Sequence, residues 1–342
     1  ARIRQMIRLI SPSAPWGNQA PPGKRPLRGI FLVALLCFAV PSFAAQPVCD
    51  LSEAQDPVLQ QELLQLADEQ GLTRAVERGE LALGLLLLSD PDQPRLAQIN
   101  GDEMLYAASL PKIAILLGAA VAIEEGQLVP DQALEKDIQD MIRYSCNDCA
   151  NRVLREVGHD QLLEVLQRPN YAFYDPQHGG GIWVGKEYGP TPAYHRDPLH
   201  NLSHGATVFE VSRFYCALER DELVSPEQDR MMLEALSNPG IRHKFVKALS
   251  AHDDLEIYRK SGTWKTFHSD SALVRDGDDA YVIVALAHSP HGSKWLERLA
   301  EPMHRLATRA SLAASMALAS GRALPAAANA AKPGVSSLAS SH

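Results

Sequence analysis

The chain has 342 residues, of which 46% are hydrophobic, and it carries 41 Asp and Glu against 33 Lys and Arg. This length and composition suffice for a large core in one or two domains. The formal net charge of −8 argues against nucleic acid or an anionic membrane surface as a partner.

The N-terminal segment is typical of an export signal. Three basic residues at 24–28 precede an apolar run over 30–40, and a small-residue site follows at 42–44. This order predicts cleavage near Ala44, and the apolar run is too short for a comfortable membrane span. We therefore expect a periplasmic or secreted protein with no stable membrane span after cleavage, in which residues 1–44 are not part of the fold.

Four cysteines follow this segment: Cys49, Cys146, Cys149 and Cys216. Export permits disulfides, but spacing alone does not determine which cysteines pair. Cys146 and Cys149 form a C-x-x-C without a second such pair, so a zinc site has weak support. A disulfide that joins two helices is the favoured use.

Helices and one strand pair are predicted in the first half of the chain. The apolar run 81–90, closed by the turn sequence DPDQP and followed by RLAQING, predicts two antiparallel strands. Helical periodicity is found in four segments: 56–78, 109–124, 132–157 and 161–166.

The second half begins with a long loop. Residues 170–204 are rich in Gly, Pro, His and aromatic residues, and a loop of this length is usually functional or disordered; the aromatic residues favour order. The segments that follow are two helices, three strands joined by hairpin-type turns and a last helix: 206–223, 225–238, 255–265, 269–276, 279–288 and 293–316. The low-complexity tail, 319–342, is predicted to be disordered.

The order of these elements predicts an α+β fold. Helix and strands at both ends of the chain, about 50–108 and 240–316, would form one antiparallel sheet flanked by helices. The block of helices between them, about 109–239, would form an inserted all-α part. Residues 45–318 would then form one domain.

The first motif that can carry chemistry is S-x-x-K at Ser109 and Lys112. Its hydroxyl and amine lie one helical turn apart on one face. A serine needs an adjacent base to act as a nucleophile, and burial favours the neutral form of a lysine. The N–H groups of the helix N-terminus face developing negative charge. Alone, the motif is equally typical of a capping serine beside a solvated lysine.

Two further motifs stand later in the chain. The S-x-N at 145–147 offers a short polar group that can pass a proton to a leaving nitrogen and hold an amide. The K-S-G-T at 260–263 offers a cation for a carboxylate and a glycine that lets the backbone approach a ligand closely. Each is also compatible with an ordinary element, an N-cap serine in the first case and a surface strand with a turn glycine in the second.

In this order the three motifs resemble those of the class A β-lactamase and penicillin-binding protein group, over roughly residues 62–306. The resemblance implies that residues 45–318 are one catalytic domain with its active site between the two parts. It also implies that Ser109 is the acyl-accepting nucleophile and Lys112 its activating base. It also implies that Ser145 relays a proton to the β-lactam nitrogen. Asn151 corresponds to a structural asparagine that fixes the loop bearing the second catalytic carboxylate.

The resemblance also implies a set of substrate contacts. Asn147 would bind the side-chain amide of the substrate, and Lys260 and Ser261 would hold its carboxylate. The backbone N–H of Thr263, which follows Gly262, would complete the oxyanion hole with that of Ser109.

The chain departs from the family at the deacylating acid. Class A enzymes carry a Glu followed by a short Leu-Asn signature, which is missing here. The loop contains Asp175, Glu187 and Asp197, of which Glu187 is the best placed by order and Asp197 the second choice. A solvent-exposed loop carboxylate is an equally good interpretation of Glu187. The arginine that class A enzymes use beyond the K-S-G strand is not evident, and His268 and Ser269 stand near that place.

We expect neither a metal nor an organic cofactor. His195, His200 and His204 are better explained as loop-packing or substrate-lining residues than as metal ligands, because Pro198 makes a regular helix uncertain and no H-E-x-x-H is present. The glycines at 179–189 lack the spacing of a phosphate-binding loop.

The sequence thus predicts an exported, monomeric serine hydrolase that opens the β-lactam amide through a Ser109 acyl-enzyme, as in antibiotic resistance or β-lactam catabolism. One alternative is a D,D-peptidase or another hydrolase that acts on peptidoglycan stem peptides. Another is a penicillin-binding protein that β-lactams acylate without turnover.

Overall fold

The computed structural model of the protein describes residues 47–90 and 92–319. The predicted signal segment and the tail from residue 320 onward lie outside this range. Within it, no helix combines the length and the hydropathy that crossing a membrane requires.

Ten α-helices are present in the described residues. Several begin at a side-chain cap; for example, Asp56 accepts hydrogen bonds from the backbone N–H groups of Val58 and Leu59. The helices are α1 (Pro57–Glu69), α2 (Thr73–Glu77), α3 (Lys112–Glu124), α4 (Gln132–Arg143), α5 (Asn147–Val157), α6 (His159–Gln167), α7 (Val208–Glu219), α8 (Pro226–Leu236), α9 (Phe245–Ala248) and α10 (Gly292–Ala319).

The strands form one large sheet and two small ones. They are β1 (Leu81–Leu87), β2 (Arg95–Ile99), β3 (Leu105–Tyr106), β4 (Tyr174–Asp175), β5 (Gly180–Gly181), β6 (Trp183–Val184), β7 (His204–Ala206), β8 (Glu256–Trp264), β9 (Phe267–Asp276) and β10 (Asp279–His288). The large sheet is antiparallel, in the order β2-β1-β10-β9-β8. Its strands come from both ends of the chain, with the helical block between them, so the predicted α+β architecture is confirmed.

Both faces of the large sheet are buried, which explains why β1 is continuously apolar. Leu83 and Leu85 pack on one side in a core shared with α1 and α10. Ala82 and Leu86 pack on the other side, in a core shared with α3 and α7. A strand covered on both faces needs apolar residues at every position rather than at alternate ones.

Three predicted helix boundaries differ from the structure. α3 begins at Lys112, after a turn that contains Ser109, rather than at residue 109. The segment 132–157 is two helices, α4 and α5, because Ser145 has a φ of 56°, which a helix does not accommodate. The segment 56–78 is likewise two helices, separated at Gly71, which has a φ of 67°.

The cysteines form two disulfides. Cys49 pairs with Cys216 and so joins the segment before α1 to α7. Cys146 pairs with Cys149 across the first turn of α5. The C-x-x-C is therefore a disulfide, but within a single helix end and not between two helices as expected.

Candidate active site

Ser109 lies in the turn between β3 and α3, against the end of β8. A Cβ atom built at Gly262 would lie 2.6 Å from Ser109 N and 2.3 Å from Ala107 O. Only a glycine lets the strand come this close, so the K-S-G-T strand reaches the backbone of the predicted nucleophile. The Ser269 hydroxyl, on β9, donates to Ala107 O at 2.7 Å and fixes the same turn.

Lys112 is completely buried directly after this turn. Its Nζ donates to Ser145 O at 2.6 Å, to Asn147 Oδ1 at 2.8 Å and to Ser145 Oγ at 3.3 Å. These acceptors favour the charged amine, but burial outweighs them and lowers the pKa of Lys112 to about 7. Near neutral pH, therefore, a large fraction of this amine is unprotonated and able to accept a proton.

A second buried amine, that of Lys260, also contacts Ser145. Lys260 Nζ donates to Ser145 Oγ at 3.0 Å and to Ser261 O at 2.7 Å. Burial, assisted by the charge of Lys112, lowers the pKa of Lys260 well below its usual value. Because both amines donate to the Ser145 oxygen, its own proton is left to point toward another acceptor, which is the geometry a proton relay needs.

A cavity of about 750 Å³ opens beside these groups. Ser109, Asn147 and Thr263 line it together with aromatic residues, among them Tyr106 and Tyr188. Asn147 is exposed, and since its Oδ1 is bound to Lys112, its amide N–H₂ remains for a ligand. Lys260 and Ser261 are buried in the strand behind the cavity, where they do not contribute to its lining.

Residues 134–313, more than half of the chain, match the β-lactamase enzyme family. The chain belongs to this family. No curated protein sequence matches it significantly.

Solved structures of β-lactamases and of PBP-A are similar to this chain in fold. A β-lactamase from Sphaerobacter thermophilus has a TM-score of 0.56 at 17% identity, over 72% of this chain and 96% of that one. A variant of the class A β-lactamase of the last common ancestor of Gram-negative bacteria has a TM-score of 0.58 at 17% identity, over 75% of this chain and 98% of that one. A PBP-A mutant, solved as an acyl-enzyme complex with penicillin G, has a TM-score of 0.55 at 18% identity, over 75% of this chain and 97% of that one. By family and fold, the protein is a β-lactamase-like serine hydrolase.

In this family member, Asn151 fixes the loop across the cavity at Tyr188 rather than at an acid. Asn151 Nδ2 donates to Tyr188 O at 2.9 Å, and Tyr188 N donates to Asn151 Oδ1 at 2.7 Å. The Tyr188 ring lies over Lys112, with Nζ 4.5 Å from the ring centroid. The Tyr188 hydroxyl is buried and has no hydrogen-bond partner among the described residues. Sequence reasoning missed this residue.

The structure does not bring Glu187 to the site. Its carboxylate accepts from Arg155 Nε at 2.6 Å and from Arg155 Nη2 at 2.7 Å, and this ion pair lowers the pKa of Glu187. Glu187 is not one of the residues that line the cavity. Its predicted role as the deacylating base therefore lacks geometric support, because the side chain points away from Lys112, where its neighbour Tyr188 lies.

The other two loop acids are also engaged elsewhere. Asp197 is buried and accepts from the Tyr174 hydroxyl at 2.5 Å and from three backbone N–H groups of its own turn. Asp175 accepts from Gln177 N and interacts with His178. Among the described residues, no Asp or Glu lines the cavity.

Lys244 is a second residue beside the candidate site that the sequence did not indicate. It is buried before α9, and its Nζ donates to Gly262 O at 2.7 Å, to Thr263 Oγ1 at 2.9 Å and to Ser269 O at 3.0 Å. Burial lowers its pKa to about 8. Lys244 thus ties the end of β8, where the carboxylate of a substrate is expected, to β9.

The three loop histidines are dispersed over different contacts. His195 Nε2 lies 3.3 Å from Asp160, and His200 Nε2 interacts with Gly179 O at 3.0 Å. His204 is buried, and its ring packs on that of Tyr188 with 4.3 Å between centroids. Burial lowers the pKa of His204 to about 3, so its imidazole is neutral. No group of three or more potential metal ligands is found in the described part of the chain.

Proposed function

We propose that the protein is an exported serine hydrolase that β-lactams acylate on Ser109, and that it releases the acyl group slowly. The observation that carries the first step is the buried Lys112, three residues after Ser109, whose pKa of about 7 makes it a base at neutral pH and whose Nζ donates to Ser145 Oγ at 3.3 Å. The observation that carries the second is the absence of a carboxylate from the cavity lining in the described chain.

These groups support the following acylation step. Neutral Lys112 takes the proton of the Ser109 hydroxyl as its oxygen attacks the carbonyl carbon of the β-lactam. The backbone N–H groups of Ser109 and Thr263 stabilise the negative charge on the carbonyl oxygen. When the intermediate collapses, the carbon–nitrogen bond breaks and the Ser145 hydroxyl delivers a proton to the ring nitrogen. Protonated Lys112, hydrogen-bonded to Ser145 Oγ, restores that proton.

Fewer side chains are available to assist deacylation. A water must attack the ester on Ser109, and a positioned general base typically accelerates such a step by about a hundredfold or more. Glu187 is held by Arg155, and the Tyr188 ring lies against Lys112, so no carboxylate of the described residues lines the cavity to take the proton of that water. This supports a long-lived acyl-enzyme rather than the rapid turnover of an efficient β-lactamase.

Export is supported by the two disulfides, because such bonds persist in oxidising compartments outside the cytosol. Expression of the full chain with a secretion-competent host, followed by fractionation and N-terminal sequencing, tests it. We expect the mature protein outside the cytosol with its N-terminus close to residue 45. An uncleaved chain in the cytosol would contradict export.

The decisive experiment mixes the purified protein with a chromogenic cephalosporin and follows colour and intact mass together. We expect a burst of about one equivalent, one adduct per chain that maps to Ser109, and slow turnover afterwards. Ser109→Ala should show neither burst nor adduct. Rapid multiple turnover without an accumulating adduct would contradict slow release, and absence of both signals would contradict the proposed substrate class.

A D,D-peptidase is the second candidate, and the same missing carboxylate favours it, since slow release of a β-lactam does not prevent transfer of a peptide acyl group. Incubation with a diacylated Lys-D-Ala-D-Ala peptide and measurement of released D-alanine tests this function. Release that a stoichiometric β-lactam abolishes would support it, and no release by an enzyme that β-lactams acylate would exclude it.

A further inference from the structure

Two cations face the cavity without a carboxylate to neutralise them. Lys186 and Arg196 both line it, on the loop wall opposite the catalytic serine. Neither forms a salt bridge with any Asp or Glu of the described chain. The pKa of Lys186 is lowered by burial and by the charge of Arg196. Two unneutralised cations on one cavity are an attractive site for an anion.

The polar contacts of these side chains hold their positions without cancelling their charge. Lys186 Nζ donates to Gly189 O at 2.5 Å and to Thr191 O at 2.6 Å. Arg196 Nη1 donates to Asn201 O at 2.8 Å. Carbonyl oxygens carry no net charge, and each side chain keeps at least one N–H free for a further acceptor.

The nearest loop acids are turned away from this pair. Glu187, next to Lys186, is neutralised by two hydrogen bonds from Arg155. Asp197, next to Arg196, is buried on the far side against Tyr174. The loop therefore separates its charges, with the acids on its outer and core sides and the cations on the cavity.

Another part of the cavity wall is aromatic. Tyr106 and Phe267 pack edge to face, with 5.0 Å between ring centroids, and both line the cavity with Trp264, whose side chain is exposed. Such a surface favours a flat apolar group. A substituent that combines an aromatic ring and a negative charge would match both walls at once.

We propose that Lys186 and Arg196 form an anion subsite for the acyl side of the substrate, so that the enzyme prefers amides whose acyl substituent bears a carboxylate beside an aromatic group. This proposal rests on the proposed function, because it concerns the substrate of the same Ser109 site. The carboxylate in question is separate from the one expected near Lys260 and Thr263.

Two penicillins that differ by one carboxylate on the acyl side chain test this subsite. Carbenicillin carries an α-carboxylate on its phenylacetyl group, and benzylpenicillin lacks it. The second-order rate constant of Ser109 acylation is measured for each by competition with a fluorescent penicillin. We expect carbenicillin to react about fivefold or more faster, and we expect this ratio to fall toward one when added salt shortens the screening distance to about 3 Å.

Variants assign the preference to the two cations. Arg196→Gln and Lys186→Gln should each lower the carbenicillin-to-benzylpenicillin ratio about threefold, whereas the charge-conserving Arg196→Lys and Lys186→Arg should keep most of it. Arg74→Gln removes the same charge from an exposed position on α2 that does not line the cavity, and it should leave the ratio at its wild-type value.

The outcomes separate this inference from the function on which it rests. Equal rates for the two penicillins in the wild-type protein, or a preference that survives Arg196→Gln and Lys186→Gln, would overturn the anion subsite while leaving Ser109 acylation in place. A fall of the ratio in Arg74→Gln as large as in Arg196→Gln would assign it to overall charge and also overturn the subsite. If neither penicillin acylates Ser109, the proposed function fails first and the subsite falls with it.

Discussion

The side chain of Asn151 holds the main chain of Tyr188 by two hydrogen bonds, of 2.9 and 2.7 Å, and so sets the Tyr188 ring over the Lys112 amine. In the class A resemblance, the asparagine at this position fixes the loop that carries the deacylating acid. Here the same two hydrogen bonds present the Tyr188 phenol instead of an acid. Burial raises the pKa of Tyr188 well above its usual value, so this group is not a base at neutral pH. This relationship accounts for the slow release that we propose.

Tyr188→Glu is therefore expected to accelerate deacylation. A carboxylate at this position would face Lys112 and could take a proton from the attacking water, with a gain of about tenfold to a hundredfold. The measurement isolates the penicillin adduct, removes free penicillin and follows the loss of adduct mass. Acylation is measured separately, because a new anion raises the pKa of Lys112 and slows that step.

The matched control for this variant is Glu187→Gln at the preceding residue. Since Arg155 holds the Glu187 carboxylate away from the cavity, we expect its removal to leave the adduct lifetime within about twofold of the wild-type value. An adduct that becomes much longer-lived in Glu187→Gln would instead restore Glu187 as the deacylating base. No acceleration in a folded Tyr188→Glu protein would contradict the role given to the Asn151–Tyr188 contact.

The sequence predicted what depends on pattern and order, and missed what depends on loop geometry. The apolar runs that became β1 and β10 and the order of three motifs were enough for the sheet and for the region of Ser109. Glu187 and Tyr188 are adjacent, and in extended chain neighbouring side chains point to opposite sides. Which of them faces Lys112 is decided by hydrogen bonds from Asn151, which is 37 residues away in sequence. Chain order could not reveal that choice.

Lys244 and the break at Ser145 were missed for a related reason. A lysine in a segment without a recognisable motif is expected to be exposed. The burial of Lys244 depends on three acceptors supplied by β8 and β9, which its local sequence does not reveal. The positive φ of Ser145 is likewise held by tertiary contacts, since both Lys112 and Lys260 bind this residue. Local propensity predicts one continuous helix there.

The pH dependence of acylation tests Lys112 as the base. Its pKa in the folded protein is lowered to about 7, so the reactive neutral amine is lost as the pH falls below that value. We expect the acylation rate to drop about tenfold per pH unit below pH 7 and to level off above it. Lys112→Met should abolish acylation throughout. A wild-type rate that is flat between about pH 5 and pH 8 would contradict the assignment.

The same pKa shift predicts a pH-dependent difference in stability. An unfolded lysine keeps its proton up to about pH 10.4, whereas folded Lys112 loses it near pH 7, so the unfolded state binds more protons in between. The free energy of unfolding of the wild-type protein should therefore rise relative to Lys112→Met as the pH increases, by about 2 kcal/mol between pH 7 and pH 9. Urea titrations of both proteins at pH 6, 7 and 9 measure it, and a constant difference would contradict the buried, shifted amine.

The two disulfides are expected to serve different purposes. Cys146–Cys149 spans a sequence separation of only 3, whereas Cys49–Cys216 spans 167. In the chain-entropy picture these loops correspond to about 2 and about 5 kcal/mol of stabilisation. The short bridge, however, directly follows Ser145 and spans the first turn of α5, which contains Asn147. Both Ser145 and Asn147 accept hydrogen bonds from Lys112.

We therefore expect one double variant to affect mainly the acylation rate and the other mainly the melting temperature. Cys146→Ser with Cys149→Ser should slow acylation of Ser109 severalfold while lowering the melting temperature little. Cys49→Ser with Cys216→Ser should lower the melting temperature much more and preserve the acylation rate of the folded fraction. Thermal unfolding and intact-mass acylation, run on both proteins, decide it. Equal effects of the two variants on acylation would show that the short bridge has no particular link to the site.

Lys244→Met tests the anchor beneath the carboxylate end of the site. The substitution leaves two buried carbonyl acceptors, Gly262 O and Ser269 O, and the Thr263 hydroxyl without their donor, which costs about 2–3 kcal/mol in the free energy of unfolding. It also frees the end of β8, so Thr263 loses its fixed position and acylation slows in the fraction that remains folded. Lys247→Met, within the adjacent helix α9, is the control. Its ammonium binds Glu297 at 2.5 Å with 60% of the side chain exposed, and such a pair contributes about 0–1 kcal/mol. Denaturant titration and acylation by a cephalosporin measure both effects. Equal stability of the two variants would mean that the Lys244 ammonium does not hold these strands together.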